Sequence, residues 1–231
     1  MLRRGVFFAH RDLDWILDEW DKGNQFYLYT GRGPSDTIQI GHLVPWVFTK
    51  WLQDQFKVKV LFQLTDDEKF LFKENLSLRE AHGYAIDNAL SIIALGFDPK
   101  LTQIMIDTDN AKTLYNNALP ISKQVTFSTV KASFGFDNSQ NLGSIFYTCI
   151  QAVPAILESV RSGRNVPCLI PHAIDQDPYF RIARDVFPKL GYYKPASIQC
   201  KFLPSLTGVE GKMSASDPNQ TIFITDSPDT V

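Results

Sequence analysis

Phe26-Tyr27-Leu28-Tyr29-Thr30-Gly31-Arg32-Gly33-Pro34 is the stretch that decides how this chain folds. Phe26 to Thr30 is a short aromatic strand. The Gly31-Arg32-Gly33-Pro34 run after it reads as neither strand nor helix, which puts a loop at the strand's carboxyl end. From Gly41 onward Val44, Val47, Phe48, Trp51 and Leu52 keep helical spacing, and Val58 to Leu64 is rich enough in β-formers to be the next strand. Strand, loop, helix and strand make a βαβ unit, whose loop lies at the sheet edge where such folds hold ligands.

The same alternation extends in both directions. Upstream, Leu13, Ile16, Leu17 and Trp20 mark an amphipathic helix between His10 and Asp21 that Gly23 can terminate. Downstream, Ser77-Leu78-Arg79-Glu80 has the form of a capping box, and the helix it opens runs to Leu95 before Gly96. Gln103 to Asp107 reads as a third strand. Asn110 to Leu157 reads as short helical pieces broken by Pro120, Gly135, Gly143 and Pro154, a helical insertion over about residues 110–160. Pro167 to Ile170 is a buried strand by its apolar run, and Asp177-Pro178 resembles an N-cap followed by a first-turn proline. These readings predict an α/β fold, a mostly parallel and doubly wound sheet with a helical insertion, in one domain covering residues 1–231.

Composition bounds the function. With 231 residues, 44% hydrophobic and 21% charged, the chain can bury a large core and leaves no room for a long disordered tail. A net charge of -2 gives no overall signal of nucleic-acid binding, so any RNA contact must rest on a local basic patch. Cys149, Cys168 and Cys200 are widely spaced, lack a CxxC pair and read as buried thiols in a reducing compartment. No apolar run approaches the roughly 20 residues of a membrane span. Met1-Leu2-Arg3-Arg4 lacks the apolar stretch of a signal peptide, and a cytoplasmic location without membrane partners is expected.

The loop after the first strand carries the chemistry. Gly31-Arg32-Gly33-Pro34-Ser35-Asp36 starts like a dinucleotide fingerprint but ends on Asp36, and Gly211-Lys212-Met213 lacks the hydroxyl of a Walker loop. What remains is Arg32 followed by Gln39-Ile40-Gly41-His42 at a helix start, which aims backbone N–H groups and a His at an anion. Far downstream, Lys212-Met213-Ser214-Ala215-Ser216 offers a Lys and two hydroxyls on a Gly-flanked segment that suits a loop closing over a polyphosphate. Asp66-Asp67-Glu68 reads as a solvated acidic turn, and no metal bound by protein side chains is expected.

Gln39-Ile40-Gly41-His42 together with Lys212 to Ser216 resembles the HIGH and KMSKS signature pair of class I aminoacyl-tRNA synthetases. Tyr29 to Ser35, Thr65-Asp66-Asp67-Glu68-Lys69, Ala173-Ile174-Asp175-Gln176-Asp177-Pro178 and the KMSAS form of the last motif resemble the eukaryotic and archaeal tryptophanyl type, over essentially the whole chain. The resemblance implies a Rossmann-like catalytic domain that activates tryptophan with ATP and Mg²⁺ and passes it to tRNA(Trp). It implies that Arg32, His42, Lys212, Ser214 and Ser216 carry the catalysis, joined around ATP by Thr30, Gly41, Asp175 and Met213. It assigns Tyr29 and Gln63 to the indole N–H and Glu68, Gln151 and Gln176 to the amino acid's polar end. A homodimer with the inserted region at the subunit boundary is implied as well. The first signature His is replaced by Gln39, and the chain stops at Val231, short of the helical anticodon-binding domain of the family. Activation with poor tRNA charging is the expectation for the chain on its own. A tyrosine-activating synthetase, a small-molecule nucleotidylyltransferase and a Trp- or ATP-binding interaction module are the competing readings.

Overall fold

The computed structural model describes residues 1–213 and 220–231, with the backbone alone for residues 209–212. In chain order the strands and α-helices are β1 (Phe7–Arg11), α1 (Leu13–Asp21), β2 (Tyr27–Arg32), α2 (Leu43–Phe56), β3 (Lys59–Leu64), α3 (Asp66–Phe72), α4 (Leu78–Ala94), β4 (Thr102–Ile106), α5 (Ala111–Ser122), α6 (Phe127–Phe134), α7 (Leu142–Ile150), α8 (Leu157–Ser162), β5 (Cys168–Ala173), α9 (Asp177–Val186), β6 (Ala196–Cys200), β7 (Pro204–Ser205) and β8 (Gly208–Lys212).

Six strands form one sheet in the order β1-β6-β5-β2-β3-β4. All neighbours are parallel except β1, which runs antiparallel along β6. Counted from β2, the parallel part has the 3-2-1-4-5 order of a doubly wound nucleotide fold, as the sequence predicts. Alternate residues of each strand feed opposite cores. Tyr27, Tyr29, Leu61, Cys168 and Ile170 pack under α5, α7, α8 and α9. Leu28, Val60, Phe62, Leu64 and Leu169 pack under α1, α2 and α4. A period of two with both faces apolar is what a sheet covered by helices on both sides requires.

Local rules set the helix ends. Ser77 accepts from the Glu80 N–H at 3.2 Å while Glu80 accepts from the Ser77 N–H at 2.9 Å, the reciprocal pair of a capping box. Ser77→Ala is expected to cost about 1 kcal/mol, read as a lower thermal midpoint with unchanged circular dichroism. Gly96 at φ +78° takes the chain out of α4.

Several expectations are corrected. Gly31 and Arg32 do not begin the loop; they are the last residues of β2, pairing with Gln63 and Leu64. His10 lies in β1 and the helix begins later, at Leu13. Short β1 was hidden because it is a mostly exposed edge strand with His10 and Arg11 on it, whereas β6 is buried throughout but its apolar run is interrupted by Ser197 and Gln199. Asp66-Asp67-Glu68 is no solvated turn: it opens α3, and Asp66 is buried because the Asp67 and Thr108 N–H groups and the Thr108 hydroxyl donate to its carboxylate. Asp177 is the first residue of α9 rather than its N-cap. Leu142–Ser162 is long and apolar enough to cross a membrane by length and composition, yet 67% of that window is buried within the fold, where it forms one wall of the first core. The three cysteines are buried free thiols.

Candidate active site

The crevice follows from how β2 meets β5. These strands hydrogen-bond only at Tyr27–Cys168 and Leu28–Leu169, so their carboxyl halves diverge where the strand order reverses. A cavity of about 760 Å³ opens there, between the β2 end and the β5 end, under the start of α2 and beside α3. This is the switch-point location that ligands of such sheets use, and the size suits a small-molecule site.

One end of the cavity is built from hydrogen-bond acceptors. Tyr29 is buried at its wall, and its hydroxyl donates to Gln63 Oε1 at 2.5 Å and accepts from Gln151 Nε2 at 2.9 Å. Burial pushes the Tyr29 phenol far above its ordinary pKa, so it stays protonated. Gln63 is fully buried behind Tyr29 and is not itself part of the cavity wall. Gln151 lines the cavity and accepts from the Tyr147 hydroxyl. Glu68 lines the same wall, with its carboxylate accepting from Thr65 at 2.6 Å; burial pushes its pKa up, a penalty that a bound cation would offset.

The other end is built from donors. Arg32 is 8% exposed; its guanidinium donates to the carbonyls of Gly33 and Thr37, each at 3.1 Å, and to Ser35, and it stands 5.9 Å over the Trp46 ring. Burial pushes its pKa down to about 10, which leaves it cationic at neutral pH. His42 stacks on Trp46 with ring centres 6.1 Å apart. Thr30 and Gly41 line this part, while Asp175 and Gln176 face it from the turn after β5. Arg32 Nη1, Gln39 Oε1 and His172 Nε2 are buried atoms of cavity-lining residues and lack a protein partner among the described residues. Such orphaned groups at one cavity are what a polar ligand satisfies.

Gln39 clarifies the altered signature. Its amide donates to the Met213 carbonyl at 3.0 Å, while Ile40 N–H donates to Ile222 and Ile224 N–H to Ile38, each at 2.9 Å. The helix-start signature therefore holds both flanks of the second signature. It also means that the Ile40 N–H, which the sequence left open for an anion, is already bonded. Met213 is buried and lines the cavity. The Lys212 side chain, Ser214 and Ser216 lie outside the described residues; the Lys212 backbone pairs with Pro204 in the β7–β8 hairpin.

The sequence reading missed other members of the site. His172 lines the cavity with its pKa lowered by burial, and was concealed inside the apolar run of β5. Lys69 lines it with its pKa likewise lowered by burial. Arg11 reaches from β1 to Asp177 with a two-pronged bond at 3.2 and 3.0 Å, which fixes the turn carrying Asp175 and Gln176; no sequence pattern links positions so far apart.

The family described as tRNA synthetases class I (W and Y) matches residues 21–231. A protein of Sulfolobus acidocaldarius named tryptophan–tRNA ligase is 52% identical over all of this chain, which spans 59% of that relative's length. A Bos taurus protein named cytoplasmic tryptophan–tRNA ligase is 52% identical over 98% of the chain and 49% of its own length. The crystal structure of an Encephalitozoon cuniculi tryptophanyl-tRNA synthetase bound to tryptophan superimposes with a TM-score of 0.91 at 43% identity, covering 99% of this chain and 66% of that one. A Rossmann-type sheet with its cavity at the switch point, and a match through both signatures, converge on one statement: this chain belongs to the class I tRNA synthetases of the W and Y group.

Proposed function

We propose that this chain is the catalytic domain of a tryptophan–tRNA ligase, residues 1–231 forming one unit that activates L-tryptophan with ATP. The observation that carries the reading is a single cavity with an acceptor-lined end at Tyr29, Gln151 and Glu68 and a donor-lined end at Arg32 and His42. The first end suits an indole N–H and an ammonium; the second suits phosphates. In the reaction the tryptophan carboxylate attacks the α-phosphate and pyrophosphate leaves. This needs positioning and spread-out positive charge rather than a protein nucleophile.

Tyr29, backed by Gln63, takes the indole N–H, and Glu68, Gln151 and Gln176 face the amino acid's polar end. Thr30, Gly41, Asp175 and Met213 surround ATP, with Arg32, His42, Lys212, Ser214 and Ser216 on the developing charge. Among the described residues no three His, Cys, Asp or Glu side chains come together as a metal cage. In this reading Mg²⁺ would accompany the pyrophosphate oxygens and would neutralise the leaving group. The adenylate is then the donor to tRNA(Trp). The α5–α8 region, with Tyr115, Leu119, Phe127 and Leu142 exposed, is our choice for the boundary of a homodimer. We place the protein in the cytoplasm, in line with the bovine relative's name and the free thiols.

ATP–pyrophosphate exchange measured with each amino acid in turn should depend on tryptophan; dependence on tyrosine instead would overturn the reading. In the same assay Lys212→Ala is expected to slow turnover about 10²-fold while the KM for ATP moves only a few-fold, since a closing-loop cation acts mainly on the transition state. Unchanged exchange would remove Lys212 from the mechanism.

A further inference from the structure

Behind Tyr29 runs a chain of buried polar side chains, Gln63 and then Asp107, of which the proposed reaction uses only the first. The Gln63 amide nitrogen donates to both carboxylate oxygens of Asp107, at 2.9 and 2.8 Å. With its NH₂ group turned to Asp107, Gln63 can offer only its carbonyl to Tyr29, and the Tyr29 hydroxyl donates to it at 2.5 Å. While Asp107 is ionised, a reversed amide would press a carbonyl against a carboxylate, which sets the sense of the amide. The one proton of Tyr29 Oη has two acceptors in reach, Gln63 Oε1 at 2.5 Å and the Gln151 carbonyl at 3.2 Å, and the shorter bond takes it. Tyr29 Oη accepts one more from Gln151 Nε2 and keeps a lone pair at the cavity wall.

Asp107 is held rigidly for this task. It is 1% exposed, at the carboxyl end of β4. Its N–H donates to Leu64 at 3.1 Å, and the next residue, Thr108, is bonded through both N–H and hydroxyl to Asp66. Asp67 stands close enough to act on its carboxyl group. Burial pushes the Asp107 carboxyl well above the ordinary range, with Asp67 adding to the rise and the Gln63 amide opposing it. The ionised carboxylate enforces this sense; a protonated Asp107 would instead donate to a reversed amide, with the Tyr29 hydroxyl turned to the Gln151 carbonyl at 3.2 Å. A buried carboxyl group of this kind, satisfied by an amide whose other end faces the site, has a cost that packing alone would not retain.

We propose that Asp107 is a specificity-determining positioning residue: by fixing the Gln63 amide it orients the Tyr29 hydroxyl, so that the site presents an acceptor and selects a substrate ring bearing an N–H donor. The inference rests on the proposed activation of tryptophan and adds what sets the polarity of the pocket. A ring of the same shape without the donor should be rejected, because it leaves the Tyr29 lone pair buried and unmatched.

The test compares pyrophosphate exchange with tryptophan and with 3-benzothienylalanine, in which sulfur replaces the indole N–H. The ratio of the two kcat/KM values is independent of how much of a preparation is folded. The unsubstituted protein should favour tryptophan by roughly tenfold to a hundredfold. Asp107→Leu keeps the volume and removes the acceptor; Asp107→Asn keeps the shape and turns one of the two oxygens into a donor facing Gln63. In both, the ratio should fall by about tenfold, with the KM for ATP unchanged. A purely structural Asp107 would slow both substrates equally and leave the ratio at its original value in both variants, which overturns the inference while the tryptophan reading stands. An unsubstituted protein that fails to exchange with tryptophan overturns the reading itself, and the inference with it.

Discussion

Arg32→Ala is expected to slow ATP–pyrophosphate exchange by roughly 10²- to 10³-fold, the usual cost of deleting a preorganised donor at a site of developing charge. Burial lowers its pKa, and among the described residues no carboxylate forms an ion pair with it. Three bonds to Gly33, Ser35 and Thr37 lock the guanidinium against Trp46, and Nη1 is left without a protein partner among the described residues. A buried cation of this kind is held ready for an anion, and the folded protein bears the cost until one binds. ATP should therefore raise the thermal midpoint of the unsubstituted protein by more than that of Arg32→Ala. Arg32→Lys should fall between the two in rate, because a point charge replaces the planar fork. Exchange at the unsubstituted rate in Arg32→Ala would remove Arg32 from the mechanism.

The contrast between Arg32 and Asp107 shows what a sequence can disclose. Period-two burial in β2, β3 and β5 and the Ser77 cap are local patterns, and the structure reproduces them within a residue or two. Tyr29 and Gln63 were placed on neighbouring strands by the βαβ logic, and Gly31 does pair with Gln63. Between β4 and β5 the breaks are corrected: Gly135 does end α6, but Pro120 lies inside α5, Gly143 inside α7 and Pro154 within the 3-10 turn Val153–Ile156. Asp107, His172 and Arg11 escaped because their roles arise from contacts between distant segments: Gln63 with Asp107, His172 with the Phe180 ring at 4.9 Å, Arg11 with Asp177. Gln39 lay between the two cases. Its departure from the signature is visible in the sequence, but its bond to Met213 spans 174 positions and depends on the β7–β8 hairpin returning the chain to the start of α2. The acidic run at Asp66 misled for a related reason: charge in sequence predicts exposure only where no backbone donors converge on it.

Gly31→Ala is expected to lose about 10²-fold in kcat/KM for exchange and to lower stability by about 1–3 kcal/mol, although it adds only one methyl group. A Cβ built on Gly31 would sit 2.7 Å from the Gln63 carbonyl oxygen and 3.2 Å from the Gln63 Cβ, across the β2–β3 ladder. Neither neighbour can turn away, because the first is backbone of a central strand and the second belongs to a side chain pinned by Tyr29 and Asp107. The strands must part, and they do so between the residues that hold the two ends of the cavity, Tyr29 and Arg32. This also explains why glycine stands inside a strand that the sequence alone would have ended at Thr30: close backbone approach, not a turn, requires it. Thermal unfolding and exchange kinetics of the purified variant decide the matter. Loss of stability with full kcat/KM would show that the strand spacing matters to the fold alone, and loss of neither would show that β2 and β3 have slack at the mouth of the site.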